Sequence, residues 1–476
     1  MLKLQRSSKP MALTQPNSVS ACIAETKSVC PVCLNRIDAQ YRVKGDTVLL
    51  TKTCPEHGTF ETPVWEGVEH FLAWRGHQNP AQAPVNPARK AERGCPYDCG
   101  LCENHRQASC CVLLELTRRC DLHCPVCFAS SDTTTAGDDP SLETIARWYD
   151  RILDQGGPFN IQLSGGEPTM RDDLPEIIRM GKERGFSFFQ LNTNGLRIAG
   201  DPEYVPALAK AGLNTVFLQF DSLSAEACAA LRGRSIIAEK KQAIENCADA
   251  GLGVVLTPTV RRGVNHGEIG AIIDFAAAHL PTVRGVHFQP MSFFGRYTGD
   301  PVTDRLTLSA LLTLMEEQSG GRIKAADFLP GGAEHPQCSF HAKYRVRGGN
   351  WELRKSPGNS GCCGGGSSEG GSTTSDTARH TVARQWSAVK SMAPPKALPG
   401  FNLDSLDKFV TMVEQQEKET IEISGMAFQD AWTVDLQRLS RCYINIVSPE
   451  GFLMPFCAYN LTAAGGRPLH RGAVLG

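Results

Sequence analysis

No run of about 18 apolar residues occurs anywhere in the sequence, so nothing in it is suited to cross a bilayer as a helix. Charge of one sign is lacking too: 49 Lys and Arg against 50 Asp and Glu leave a formal net charge of -1. That balance removes the broad electrostatic attraction by which nucleic acids and anionic membranes are held, and neither is expected as a partner. The opening MLKLQRSSKPMALTQPNSV is charged but has no apolar core of signal-peptide length, so a cytoplasmic location is expected. A shortage of apolar residues is not among the deficits. At 41% apolar and 21% charged, the 476 residues have the composition of a folded protein of two or three domains. Against this ordinary background stand 19 cysteines, and in a reducing compartment clustered cysteines serve metal or redox chemistry.

The cysteines fall into groups. A polar leader (1–25) precedes a metal-binding knuckle unit (26–75), in which Cys30 and Cys33 of CPVC and Cys54 and His57 of CPEHG flank an alternating strand pair. A Pro- and Ala-rich linker and a cysteine loop occupy 76–111. From 112 to 330 the apolar runs VLLEL, FNIQL, FSFFQL, TVFLQF, GVVLTPTV and GVHFQP alternate with amphipathic helical stretches. Buried strands joined by crossover helices form parallel sheets, and six units predict an α/β fold, a partial (β/α)6 TIM-type barrel. The remainder (331–476) reads as a cysteine-rich α+β extension with a mobile Gly/Ser-rich loop (356–376) and a closing hairpin around Pro449-Glu450-Gly451.

Two segments share the spacing Cys-x3-Cys-x2-Cys: Cys95, Cys99, Cys102 and Cys120, Cys124, Cys127. One such match is expected by chance in roughly 3% of chains with this cysteine content, and two in far fewer. Three thiolates so spaced can wrap a cubane and leave one iron open, whereas structural zinc prefers paired knuckles. The second triad follows the first barrel strand, at the strand end where barrel active sites are built, and is the catalytic candidate. The first follows the linker, and Cys110 stands ready to complete a fully ligated auxiliary cluster. The next strand ends in Gly165, Gly166 and Glu167, where glycines permit close backbone approach and an exposed carboxylate could take a cationic ammonium. Asn192, Asn194, Gln219 and Asp221 lie at later strand ends on the same rim; as ligand partners or as turn and cap residues they are equally plausible. Cys228 and Cys247 read as core thiols, and Cys22 and Cys111 have no assignment.

The triad followed one strand later by GGEPT resembles the radical S-adenosylmethionine superfamily. CPVC…CPEHG, CPYDCGLCENH, TRRCDLHCPVCFA, LNTNG, LQFD, HPQC and PEGFLMPFCAYN together resemble the archaeal tetraether lipid synthases and their bacterial radical SAM (seleno)protein relatives. The resemblance implies a [4Fe-4S] cluster on Cys120, Cys124 and Cys127, with S-adenosylmethionine on its open iron and its amino group at Gly165, Gly166 and Glu167. It implies reductive cleavage to a 5′-deoxyadenosyl radical that modifies a substrate, by carbon–carbon bond formation or methylation, with flavodoxin or ferredoxin as electron donor. It implies a further cluster on Cys338, Cys442 and Cys457. Here the sequence departs from its relatives: LPGGAEHPQC lacks the cysteine they tend to carry just before His-Pro-x-Cys, leaving the fourth ligand open, with Cys362 or Cys363 as candidates or else a redox dithiol. One or two auxiliary clusters are therefore expected. Cys30, Cys33, Cys54 and His57 resemble a rubredoxin-like or zinc-ribbon knuckle for zinc or mononuclear iron. A multi-cluster electron carrier is the competing reading, and a zinc-scaffolded binding module a third. An open iron site beside GGEPT gains a carrier nothing.

Overall fold

A computed structural model of the chain describes residues 21–77, 79–131, 139–354, 374–389 and 403–472. It opens with an antiparallel sheet, β1 (Cys22–Val29), β2 (Arg36–Lys44), β3 (Thr47–Cys54) and β4 (Gly58–Glu66), followed by α1 (Val68–Arg75). β1 begins inside the stretch expected as leader, because CIAETKSV alternates and its last residues are buried. Tyr41, Trp65, Phe71 and Trp74 knit the sheet to α1, with ring centroids 5.4 to 6.1 Å apart. Aromatic pairs in these tilted and edge arrangements add to the burial of their large surfaces.

The barrel is then built from β5 (Cys111–Glu115), α2 (Leu142–Asp154), β6 (Asn160–Ser164), α3 (Leu174–Glu183), β7 (Phe189–Thr193), α4 (Leu196–Gly200), α5 (Tyr204–Ala211), β8 (Thr215–Gln219), α6 (Ala225–Arg232), α7 (Ile237–Asp249), β9 (Gly253–Thr257), β10 (Thr259–Val260), α8 (Ile269–Ala278) and β11 (Val283–Pro290). α2 shows why such segments are helical. Ser141 caps it by accepting from the Thr144 N–H, and Ile145, Trp148, Tyr149 and Ile152 form one buried face at helical spacing. β5, β6, β7, β8, β9 and β11 are all parallel neighbours in that order, the partial six-stranded barrel expected.

The rest of the chain comprises α9 (Leu308–Gln318), β12 (Leu329–Pro330), β13 (Ser339–Arg347), β14 (Asn350–Leu353), α10 (Thr374–Trp386), α11 (Leu403–Lys418), β15 (Thr420–Met426), α12 (Leu436–Leu439), β16 (Ile444–Val447), β17 (Leu453–Pro455) and α13 (Phe456–Tyr459). Cys362 and Cys363, with most of the Gly/Ser-rich stretch, lie outside the described residues, and Thr374–Asp376 form the first turn of α10. The expected hairpin is β16 with β17. The extension is more than an appendage, however. β16 pairs parallel to β5 and β15 parallel to β11, so both barrel edges are sealed by strands from the C-terminal region. An unpaired edge exposes a row of N–H and C=O groups, and these strands satisfy them. The N-terminal sheet docks on the same region: the Tyr41 and Thr26 hydroxyls donate to Asp435 (2.6 and 2.7 Å), which also caps α12.

Candidate functional site

The loop after β5 carries Cys120, Cys124 and Cys127 and is held from several sides. The Gly166 and Glu167 N–H groups donate to the carbonyls of Thr117 and Arg119 at 2.8 Å each, Cys127 exchanges a reciprocal pair of backbone bonds with Arg296, and the Arg296 guanidinium donates to the Cys124 carbonyl. Arg119 forks onto Asp139, which also accepts from Thr117. The two glycines are required by this docking. Gly165 has φ 124, and a Cβ on either residue would overlap the carbonyl of Thr117 or Arg119. The close approach anticipated toward a ligand is thus, in the first place, an approach of strand end to cysteine loop.

Glu167 differs from the exposed carboxylate expected. It is buried, one oxygen accepting from the Thr169 N–H and hydroxyl and the Thr193 hydroxyl, the other from the Asn194 N–H at 2.7 Å. Burial raises its pKa, and these hydrogen bonds partly oppose the rise. Its oxygens are committed to tying β6 to β7. Asp221 is likewise buried, its two oxygens bound by Arg232 at 2.6 and 2.7 Å. Burial alone would raise its pKa, but the guanidinium holds it below the usual carboxylate range. Arg232 also donates to the Val126 carbonyl and lies within electrostatic reach of the Cys124 sulfur. Asp221 therefore supports the cysteine loop through Arg232 and does not join the cavity wall.

The cavity has a volume of about 260 Å³ and is lined at the rim by Cys120, Cys124, Cys127, Gly165, Gly166, Asn192, Asn194 and Gln219. Asn194 donates to Asp121, next to Cys120, and Asn192 to Gln162. Burial pushes the Cys120 thiol up to about 12 and raises Cys124 as well. Two buried atoms on this wall, Gln219 Oε1 and Thr257 Oγ1, have no hydrogen-bond partner among the described residues. Buried polar atoms are rarely left so, and a polar ligand in the cavity would complete them. Toward the base, Phe217, His287 and Trp386 form an aromatic wall with centroids 4.9 to 6.0 Å apart. His287 Nδ1 faces the Ser424 hydroxyl at 2.9 Å. The sequence reading missed Arg232, Thr257, His287 and Trp386, whose partners are remote in sequence. The strand-end position of Thr257 was the one signal available.

At the N-terminal sheet Cys30, Cys33, Cys54 and His57 place their donor atoms within 4.8 Å of one another. Individual separations are 4.0 Å for Cys33–Cys54, 3.4 Å for Cys54–His57 and 3.7 Å for Cys30–His57. Tetrahedral ligands at a metal–sulfur distance of ~2.3 Å stand about 3.8 Å apart, so a single ion fits. The His57 hydrogen bond lowers Cys54 to about 7, while burial raises Cys30 to about 11. Cys95, Cys99 and Cys102 are gathered in the linker loop, Cys99 within electrostatic reach of both its partners and of Cys442. Cys110, expected as their fourth member, packs with Ala333, Ala378 and Tyr443. Cys338 lies within electrostatic reach of Cys442 and Cys457, which flank the β16–β17 hairpin about a hundred residues on. Cys228 is a core thiol, packed against Leu122, Cys124 and Ile236, and Cys247 lies in the main core.

Among the described residues no helix is long and apolar enough to cross a membrane. Residues 114–276 match the model of the radical SAM superfamily, and residues 22–66 that of the HMPTM N-terminal zinc ribbon domain. The chain is 32% identical to the 7,8-dihydro-6-hydroxymethylpterin dimethyltransferase of Methanocaldococcus jannaschii over 477 residues, spanning 92% of this chain and 93% of that protein. It is 31% identical to a probable GTP 3′,8-cyclase of Methanothermobacter thermautotrophicus over 176 residues, 36% of this chain and 55% of that protein. Among solved structures, Streptococcus suis SuiB bound to S-adenosylmethionine aligns with 19% identity and a TM-score of 0.37, over 45% of this chain and 48% of that one. With the cysteine-lined barrel cavity and the near full-length relative together, the chain belongs to the radical SAM superfamily and is an iron–sulfur enzyme that uses S-adenosylmethionine.

Proposed function

We propose that this chain methylates a reduced pterin or a closely related flat heterocycle, with Cys120, Cys124 and Cys127 holding the [4Fe-4S] cluster. The observation that carries the substrate class is the likeness to a pterin dimethyltransferase along almost the whole of both chains. The aromatic wall of Phe217, His287 and Trp386 supports it, since aromatic side chains suit a planar ligand. When bound, the cluster supplies the electron that cleaves S-adenosylmethionine. The chain's own residues position and enclose. The strand end at Gly165 and Gly166 fixes the cysteine loop, while Asn192, Asn194, Gln219 and Thr257 offer amide and hydroxyl groups to the cofactor's polar parts. Cys95, Cys99 and Cys102 in the linker loop, and Cys338, Cys442 and Cys457, support two auxiliary clusters. Cys30, Cys33, Cys54 and His57 would hold zinc or mononuclear iron, and a flavodoxin or ferredoxin would deliver electrons.

The test is anaerobic reconstitution with S-adenosylmethionine, dithionite and 7,8-dihydro-6-hydroxymethylpterin, followed by mass spectrometry. One or two added methyl groups on the pterin, with 5′-deoxyadenosine released, is the expected result. Cofactor cleavage without pterin methylation would leave the enzyme class standing and overturn the substrate.

A further inference from the structure

Glu334 sits in the loop between β12 and β13, four residues before Cys338, and is 2% exposed. A buried carboxylate needs a cation or a full set of donors, because removal of its charge from water is costly. Glu334 has no cation: among the described residues no Lys, Arg or His forms an ion pair with it. Its Oε1 accepts from the Ser339 hydroxyl, and the Tyr443 side chain and the Ala333 and Glu334 N–H groups ease the burial, but among the described residues Oε2 itself makes no hydrogen bond. Both supporting side chains belong to chain neighbours of thiols: Ser339 adjoins Cys338, and Tyr443 adjoins Cys442. Ala333 packs against Tyr443, which closes the same corner. Cys338 and Cys442 both lie within electrostatic reach of the carboxylate, and Cys457 within reach of those two.

The loop is fixed with unusual thoroughness for an irregular segment. Asn79 donates to the carbonyls of Gly331 and Glu334 (2.5 and 2.8 Å), Trp74 to that of Pro336 (2.6 Å), Gln107 to that of Ala333, and Arg438 to that of Gln337 and to the Cys338 sulfur at 3.5 Å. Gly331 leaves the space that the carboxylate fills, since a Cβ there would overlap Glu334 and Ser339. N-terminal, linker and C-terminal residues thus converge to hold one carboxylate beside three cysteines.

We propose that Glu334 is the fourth protein ligand of a cluster held by Cys338, Cys442 and Cys457, binding iron through Oε2. The proposal rests on the reading of those cysteines as an auxiliary cluster site. An iron would supply the cation the buried carboxylate lacks, and a hard oxygen donor in place of a fourth thiolate gives one iron a distinct electronic environment. The alternative is a protonated carboxyl hydrogen-bonded within the fold.

Gln is isosteric with that neutral acid, so the comparison of Glu334→Gln, Glu334→Cys and Cys338→Ala separates the cases. Each is made in the full chain with Cys120, Cys124 and Cys127 replaced by Ala, reconstituted anaerobically, and measured for iron, sulfide and the electron paramagnetic resonance of the dithionite-reduced state. Glu334→Gln should lose between about one and four irons per chain, and Glu334→Cys should keep the iron of the background protein with altered g values. Unchanged iron and spectrum in Glu334→Gln, or full iron with an unchanged spectrum in Glu334→Cys, would overturn the assignment of Glu334. Loss of iron in Cys338→Ala alone would then leave the cluster in place without it. Full iron in Cys338→Ala would sink the cluster reading itself.

Discussion

At the N-terminal sheet four donor atoms converge to within 4.8 Å of one another, while at the barrel rim Cys120, Cys124 and Cys127 are distributed along the wall of a cavity. The first arrangement is closed: one ion takes every donor, and little is left for a second molecule. The second is open, with unsatisfied Gln219 and Thr257 oxygens on the same wall. The supports differ in kind as well. The ribbon site hangs on strand ends of a local hairpin sheet, whereas the rim loop is braced by Arg232 and Arg296 from remote segments. A site that holds structure can be local, but one that holds a reacting molecule is positioned by the whole barrel.

The strongest way to break this contrast is to exchange its consequences. Cys124→Ala should reduce dithionite-driven formation of 5′-deoxyadenosine to background, while Cys33→Ser should retain that cleavage, lose the N-terminal ion by metal analysis and lower stability by on the order of 3 kcal/mol or more. Abolition of cleavage by Cys33→Ser, with the barrel still folded by circular dichroism, would merge the two regions into one functional unit.

The bracing of the rim loop predicts a large structural cost. Asp221→Ala leaves Arg232 buried without its partner and should destabilise the protein by about 4 kcal/mol in denaturant unfolding, with faster loss of cluster iron to a chelator. A cost under about 1 kcal/mol would mean that the pair is dispensable.

Acid should weaken the barrel seam before it frees the rim. His341 is 6% exposed, and burial, assisted by Lys343, lowers it to about 3; burial lowers His287 to about 4. Both pair across β15 with Ser424. A folded-state pKa below the unfolded value of 6.5 means that the unfolded chain binds the proton first. This part of the stability is present in full above pH 6.5 and falls as pH drops toward 3. His341→Gln should remove about 2–3 kcal/mol of that acid loss between pH 7 and pH 4.5, read from urea midpoints as a shallower slope. The smallest expected effect is Gly166→Ala, about 2 kcal/mol from overlap with the Arg119 carbonyl, with the cysteine loop displaced and cofactor cleavage slowed.

The six barrel strands were legible because short apolar runs and amphipathic helices alternate in register with the chain. The rim triad was legible from spacing and from its place after VLLEL. β15 and β16 were not read as barrel-edge strands, since parallel pairing leaves no local mark and each partner lies far away in sequence. The roles of Glu167 and Asp221 escaped for a related reason. An acidic residue at a strand end looks the same whether it meets solvent, a ligand or a buried arginine, and only Asn194 and Arg232 in space decide.

The strands that seal the barrel set a timetable for its manufacture. Ser109 and Asn445 hydrogen-bond across 336 positions, and the β5 edge stays open until β16 has been translated. A nascent chain therefore emerges with all three rim cysteines synthesised but with its sheet unsealed on both sides, a state prone to edge-to-edge association. Long-range pairing of this kind is slow. Slower release of the last segment should then raise aggregation, and iron–sulfur insertion is best timed after β16 has docked.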